Sequence, residues 1–188
     1  MADEVKALLA RKRELEKEIT ATDLKFDQVL EPYLRGNKQN EYEQGAFRVT
    51  NEVEKARLER DYTISKLERE IAIINIDLFI IRRKIRASHR QLPVEEYEQS
   101  LNEGELEKIK LRMLMERDRL EYRLRKRTLQ RKEYIHDLES PSLLAPDEAR
   151  SLEYLISLMN EDDIADEKEL RKISNQLYPE RPFSSYQK

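Results

Sequence analysis

The chain has 188 residues, of which 40% are charged, with three glycines, no tryptophan and no cysteine. The formal net charge of −3 is too small to draw the whole protein toward nucleic acid or a membrane surface, and the lack of cysteine excludes disulfides and thiolate metal sites. Ordinary globular domains are about 25% charged, so this composition is typical of long helices with much surface and little core.

The first predicted helix runs from Asp3 to about Leu34. Its apolar residues recur at alternating spacings of three and four, as in a coiled-coil seam. The seam positions are Val5, Leu8, Lys12, Leu15, Ile19, Thr22, Phe26, Val29 and Tyr33. Gly36 is a natural C-terminal stop, and the polar residues 36–45 are predicted to form a loop.

A second helix is predicted from about Ala46 to Leu92, and its apolar stretch at 71–81 organises the rest of the chain. On a helix these residues form two stripes on roughly opposite sides, so the helix needs neighbours on at least two faces. The stretch is too short to cross a membrane, which takes about 20 apolar residues. The predicted core or interface residues are Ile71, Ile73, Ile74, Ile76, Leu78, Phe79, Ile80 and Ile81.

The chain after Pro93 is predicted to form several helices. Pro93 ends the second helix or opens a short one at Val94–Leu101, and Asn102 and Gly104 interrupt the chain. A third long helix follows over about residues 105–139. Two short helices follow, one over about residues 146–160 and one holding residues 164–177. The predicted domains are a bundle at 1–139, short helices at 140–178 and an extended tail at 179–188.

Short connections favour antiparallel packing of successive helices. If the second and third helices fold back near Tyr97, facing residues have numbers with a constant sum. Asp77 then meets Arg117 as a register pair. Asn75 and Asp77 are interpreted as polar residues that fix register or oligomer state, and the alternative is a buried acid with a raised pKa. The predicted facing pairs are Ile85 with Ile109, Ile81 with Met113, Ile74 with Leu120, Ile71 with Leu124, and Leu15 of the first helix with Leu67.

The same reasoning assigns the two stripes of the central stretch to different neighbours. The stripe of Ile73, Ile76 and Ile80 lies under Val5 and Leu8 of the first helix, and the other stripe faces the third. The predicted fold is therefore all-α. It consists of long antiparallel helical hairpins in a coiled-coil-like three-helix stack, with a small C-terminal helical segment and an extended tail.

Residues Arg117–Lys132 carry a local excess of basic side chains. Arg123, Arg125, Lys126 and Arg127 are the candidate nucleic-acid contacts, since lysine and arginine neutralise phosphates. The alternative is that these charges meet acidic runs such as Glu68 and Glu70 on the neighbouring helix. The negative net charge favours this second interpretation.

The remaining patterns give no enzyme site. Glu133 and His136 match one half of a di-metal bundle motif, but the second half is missing. The acidic run 161–163 lacks the features of a calcium loop and is interpreted as a helix-capping turn. No phosphate loop or nucleophile arrangement is present, so we expect no catalytic residues, no cofactor and no metal.

The C-terminal segment is a candidate for docking onto a partner. Leu177, Tyr178, Phe183 and Tyr186 alternate with two prolines, which hold a chain extended as in a groove-bound peptide. Packing back onto the chain's own helices is the alternative.

These patterns favour a non-enzymatic structural or adaptor protein that mediates protein–protein assembly, in a virion or another multi-subunit particle. The alternative is a nucleic-acid-associated helical protein using residues 117–132. We expect protein partners or self-association, no membrane partner, and an intracellular location or one within an assembled particle, because no signal peptide or transmembrane segment is evident.

Overall fold

A computed structural model of the chain describes residues 2–34, 42–89, 91–139 and 145–179, which form four helices and contain no strand. The helices are α1 (Ala2–Leu34), α2 (Tyr42–Ser88), α3 (Val94–Leu138) and α4 (Pro146–Leu177). α1 packs on α2, α2 on α3 and α3 on α4. The prediction of an all-α helical stack is therefore confirmed. Within these described ranges no helix is long and apolar enough to span a bilayer.

Several helix boundaries differ from the sequence-based prediction, and α2 ends at Ser88 and not at Leu92. α2 begins at Tyr42, so residues 42–45 of the predicted loop are helical, while residues 36–41 lie outside the described part of the chain. α3 is one continuous helix and not two, because Gly104 does not interrupt it. A Cβ built on Gly104 would lie 2.7 Å from Ile80 Cδ1 and 3.2 Å from Ile76 Cγ2. The glycine therefore permits close contact between α2 and α3.

α4 is also continuous where two short helices are predicted. Pro146 occupies its first turn, and the Glu148 carboxylate accepts a hydrogen bond of 2.9 Å from the Ala145 amide. At the other end the Tyr178 amide donates to the Ser174 carbonyl. The acidic run 161–163 lies inside this helix, so its interpretation as a capping turn is wrong. Asp163 turns toward α3 and does not cap a helix.

The chain divides into two compact units, and α1, α2 and α3 each contribute residues to both. Unit 1 contains residues 1–23 and 63–116, and unit 2 contains residues 24–62 and 117–188. This grouping follows contacts between helices and not chain position. It does not test the predicted boundaries after residues 139 and 178, which stay predictions.

The core of unit 1 is a cluster around Leu15, which is fully buried. Leu67, Ile74 and Leu78 of α2 complete the buried cluster. The flanking, partly buried residues are Val5, Leu8, Ile19 and Ile71. The predicted neighbourhood of Leu15 and Leu67 is confirmed, and α1 runs against α2.

The assignment of the two stripes of α2 is wrong, since they exchange neighbours. The stripe with Ile74 and Leu78 packs on α1, and Ile76 and Ile80 face Gly104 of α3. The constant sum of residue numbers predicts which residues of two antiparallel helices lie at the same height. It does not predict on which side of α2 the helix α3 lies. The close contact at Gly104 shows that α3 lies on the side of Ile76 and Ile80.

The central stretch is buried only in part. Ile74, Leu78, Ile80 and Ile81 are buried, and Ile71, Ile73 and Ile76 are half-buried. Phe79 is 47% exposed, and the Arg83 guanidinium lies over its ring at 5.2 Å. Phe79 is therefore not a core residue of this chain, because it points between the two covered stripes.

The predicted register pair of Asp77 with Arg117 is wrong. Asp77 accepts a hydrogen bond of 2.8 Å from Lys108, which also pairs with Glu105. Arg117 pairs with Asp118 and Glu121 on its own helix. α3 begins at Val94, directly after Pro93, so the hairpin closes earlier than predicted. The partner of Asp77 consequently lies roughly two and a half turns nearer the start of α3.

Lys108 is a buried cation held by two carboxylates. Burial alone would lower the pKa of Lys108, but the hydrogen bonds and charges of Asp77 and Glu105 outweigh it and raise the pKa. Asn75, the other polar residue of the central stretch, is exposed and accepts a hydrogen bond of 2.9 Å from Lys12. Polar groups therefore tie α2 to each of its neighbours in unit 1.

In unit 2, α2 and α3 are joined by aromatic and polar contacts. Tyr62 and Tyr122 stack with their ring centroids 4.4 Å apart. The side-chain amide of Asn51, a residue that is only 3% exposed, donates a hydrogen bond of 3.1 Å to the Leu129 backbone carbonyl. Lys55 pairs with Glu133 close by. These contacts show that α2 and α3 run in opposite directions within unit 2.

Candidate functional site

An ion network joins α3 and α4 in unit 2. Arg123, Arg127 and Arg131 follow each other at four-residue intervals, so they lie on one face of α3. Asp163 and Asp166, three residues apart, lie on the facing side of α4. Arg127 donates to Asp163 at 2.6 Å and also to Asp166. Arg131 donates to Asp163, and Arg123 pairs with Asp166 at 3.2 Å.

The centre of this network is shielded from water. The side chains of Arg127 and Asp166 are 13% and 9% exposed. Burial alone would lower the pKa of Arg127, but hydrogen bonds to Asp166 and Asp163 outweigh it and raise the pKa. A buried ion pair adds little to the stability of a fold when compared with a well-packed apolar pair in the same place. Loss of one partner, however, leaves the other as an uncompensated buried charge. The network therefore fixes where α4 lies on α3.

This geometry accounts for much of the basic segment. Arg127 and Arg123, two of the four predicted nucleic-acid contacts, pair with aspartates of α4 and not with Glu68 or Glu70. Lys126 is exposed, and its ammonium lies 5.6 Å from the centre of the Tyr122 ring. Arg125 is exposed beside a shallow groove. Arg123, although paired, is 43% exposed, so three of the four cations remain accessible for an anionic ligand.

The groove beside Arg125 lies between α2 and α3 of unit 2 and has a volume of about 380 Å³. Its floor is apolar, and its walls carry two arginines and two carboxylates, which offset one another and give no net field for a charged ligand. The lining residues are Glu54, Arg57, Leu58, Asp61, Arg125, Thr128 and Leu129. The hydroxyl of Thr128 in its lining donates a hydrogen bond of 2.9 Å to the Leu124 carbonyl.

The other candidate sites have structural partners. Glu133, half of the di-metal motif, binds Lys55. Among the residues that the structure describes, no three histidine, aspartate or glutamate side chains are placed to hold a metal ion. In the C-terminal segment, Leu177 ends α4 and Tyr178 is 46% exposed. Phe183 and Tyr186 lie outside the described residues, so partner docking by this segment stays a prediction.

The first half of α4 carries exposed apolar side chains. Tyr154 is 64% exposed, and Leu155 and Leu158 are 40% exposed each. At about 100° per residue, Tyr154 lies opposite Asp163 around the helix. Exposed Glu161 and Asp162 follow one turn after Leu158. The result is a short apolar ridge with an acidic end, which we call the α4 ridge.

Sequence reasoning misses both features of α4. The arginines at four-residue spacing signal a facing acidic pair, but the partners expected from the sequence, Glu68 and Glu70, lie on α2 and not on α4. The α4 ridge is signalled by an excess of apolar residues over what one stripe can use, since Leu152, Ile156 and Met159 already form a buried-side stripe. Without the position of α3, the two sides of α4 cannot be told apart.

Comparison with known proteins adds no relative. Family models, curated proteins and solved structures give no match to this chain. The function is therefore inferred from the chain's own surfaces.

Proposed function

We propose that this protein is a non-enzymatic helical adaptor that docks a partner protein on the α4 ridge. The observation that carries the proposal is the exposure of Tyr154, Leu155 and Leu158 on a helix that buried ion pairs hold on α3. Clustered exposed apolar side chains mark interaction sites, and tyrosine is enriched among residues that dominate binding energy.

The chemistry of the ridge indicates the kind of partner. An apolar strip of about one and a half turns suits an amphipathic helix, which presents its own apolar residues at helical spacing. Glu161 and Asp162 at one end favour a partner with lysine or arginine beside that strip. A multi-subunit particle such as a virion is an assembly in which a helical protein with a docking face is useful as a spacer or scaffold.

The alternative function, binding of nucleic acid by residues 117–132, has weaker support. Arg127 is committed to two aspartates, and Arg123 shares Asp166. Exposed Arg125 and Lys126 would have to provide the phosphate contacts together with other surface cations. Such binding would fall steeply with salt concentration.

Affinity capture from the native source with Tyr154→Ala/Leu158→Ala tests the proposal. The double variant should lose a partner that the parent protein retains, while its helical content and melting temperature stay unchanged, because both side chains are exposed. Leu24→Ala, at a 57% exposed position on α1, is the matched control and should retain the partner. Equal retention by all three proteins would refute docking on the ridge. Salt-sensitive retention of duplex DNA that is lost in Arg125→Glu/Lys126→Glu would favour the alternative.

A further inference from the structure

α3 carries a second exposed apolar surface, within unit 1. Leu106 is 67% exposed and Ile109 is 50% exposed, although both lie on a helix that packs closely on α2 through Gly104. Asn102 and half-buried Met113 continue the same line at helical spacing. We call these four residues the α3 stripe. Its side chains lie away from the face that contacts Ile76 and Ile80.

The charges beside the α3 stripe change sign along the helix. Residues 95–107 include six glutamates and no basic residue, whereas Lys108, Lys110 and Arg112 follow. The change of sign falls between Leu106 and Ile109. Glu103 and Lys110 lie on one flank of the stripe, and Glu105 and Arg112 lie on the other, at about 100° per residue.

We propose that the α3 stripe pairs with the α3 stripe of a second copy of this chain, in an antiparallel arrangement with twofold symmetry. Leu106 of one copy then faces Ile109 of the other, and Asn102 faces Met113. A twofold interface brings the same flank of both helices together, so Glu103 meets Lys110 and Glu105 meets Arg112. A parallel twofold pair would instead bring opposite flanks together and place Glu103 beside Glu105 and Lys110 beside Arg112 of the other copy.

The size of the surface sets the strength of this pairing. Stable protein interfaces bury about 1,200–2,000 Å² in total, and two large apolar side chains per copy supply only part of that. The pairing is therefore weak and depends on concentration. It is independent of the proposed partner docking, which uses α4.

Sedimentation equilibrium over concentrations up to about 1 mM measures the association directly. The parent protein should shift from the monomer mass of 22.6 kDa toward twice that mass. Leu106→Glu should remain monomeric, because it places two carboxylates at the apolar centre. Ile164→Glu is the matched control at a 69% exposed position on α4 and should associate like the parent. A parent protein that is monomeric at every concentration overturns the proposal.

Charge reversal tests the pairing partners. Lys110→Glu and Glu103→Lys should each weaken association by about tenfold, since each places like charges together twice in the symmetric pair. The double variant should restore it to within about twofold of the parent. A double variant as weak as the single variants contradicts the proposed register.

Disulfide trapping tests the orientation, because the chain has no cysteine of its own. A mixture of Asn102→Cys and Met113→Cys chains should form cross-linked heterodimers, while each variant alone should not, since the Cα atoms of two joined cysteines are about 4.4–6.8 Å apart. Cross-linking of each variant with itself would show a parallel pair and overturn the proposal.

Discussion

Gly104→Ala tests how closely α2 and α3 are packed. In an exposed helix interior this change stabilises by about 1 kcal/mol, because alanine has the higher helix propensity. Here the new methyl group would lie 2.7 Å from Ile80 Cδ1, 3.3 Å from Ile80 Cγ1 and 3.2 Å from Ile76 Cγ2. Ile80 is only 8% exposed, so it has little room to move. Overpacking of this kind costs about 1–3 kcal/mol. The net expectation is destabilisation by about 0–2 kcal/mol.

A double-mutant cycle with Ile80→Val separates the two effects. Ile80→Val removes Cδ1, the nearest atom, and should by itself cost about 0.5–1.5 kcal/mol. In that background Gly104→Ala should be neutral or stabilising by up to about 1 kcal/mol, because the propensity gain remains while the worst clash is gone. Urea unfolding followed by circular dichroism gives all four free energies of unfolding. Stabilisation of the parent protein by Gly104→Ala, or the same effect in both backgrounds, would refute close contact at this position.

Two further substitutions test the core and the buried cation of unit 1. Leu15→Ala should lower the free energy of unfolding by about 2–5 kcal/mol, because Leu15 is fully buried. Leu9→Ala, at a 40% exposed position on the same helix, is the control and should cost much less. Equal losses of free energy in urea unfolding would contradict the cluster around Leu15. Lys108→Met should cost about 1–3 kcal/mol at neutral pH through the loss of its bonds to Asp77 and Glu105. Because the pKa of Lys108 is raised above 10.5, the stabilisation by Lys108 is complete below that pH and is lost as the pH rises through the higher folded-state pKa. The difference in the free energy of unfolding between the parent and Lys108→Met should accordingly shrink above pH 10.5. Lys110→Met, at an exposed position, is the control and should unfold with nearly the parent's free energy at any pH. A difference between the parent and Lys108→Met that does not change with pH would count against the pairing.

The helical character of the chain follows from its sequence, but the helix breaks and the register do not. Gly104 carries the same local signal as a glycine that ends a helix, and only its contact with Ile80 shows why it lies within one. Because α2 ends at Ser88 and α3 begins already at Val94, every facing pair of α2 and α3 is moved. The pair of Asp77 with Arg117 fails for that reason, although the expectation that Asp77 has a basic partner holds.

The candidate surfaces show the same division. Composition suggests a protein with interaction surfaces, and the arginines at 123, 127 and 131 suggest an acidic partner. Their aspartates at 163 and 166 lie on α4, and the sequence around Asp163, the run 161–163, resembles a capping turn. The exposure of Tyr154 and Leu106 depends on which side of each helix is covered. That information is three-dimensional, because apolar spacing alone does not distinguish a covered stripe from a bare one.

The buried amide of Asn51 has a consequence for alternative structures of the same chain. Surface pairs such as Lys55 with Glu133 can form again after two helices slide past each other, because a chain so rich in charge offers new partners at nearly every turn. The Asn51 amide has a fixed acceptor, the Leu129 carbonyl. A slide would leave that amide buried without a partner, at a cost of about 1–3 kcal/mol. One polar contact in unit 2 therefore discriminates against shifted alignments that the surface charges tolerate.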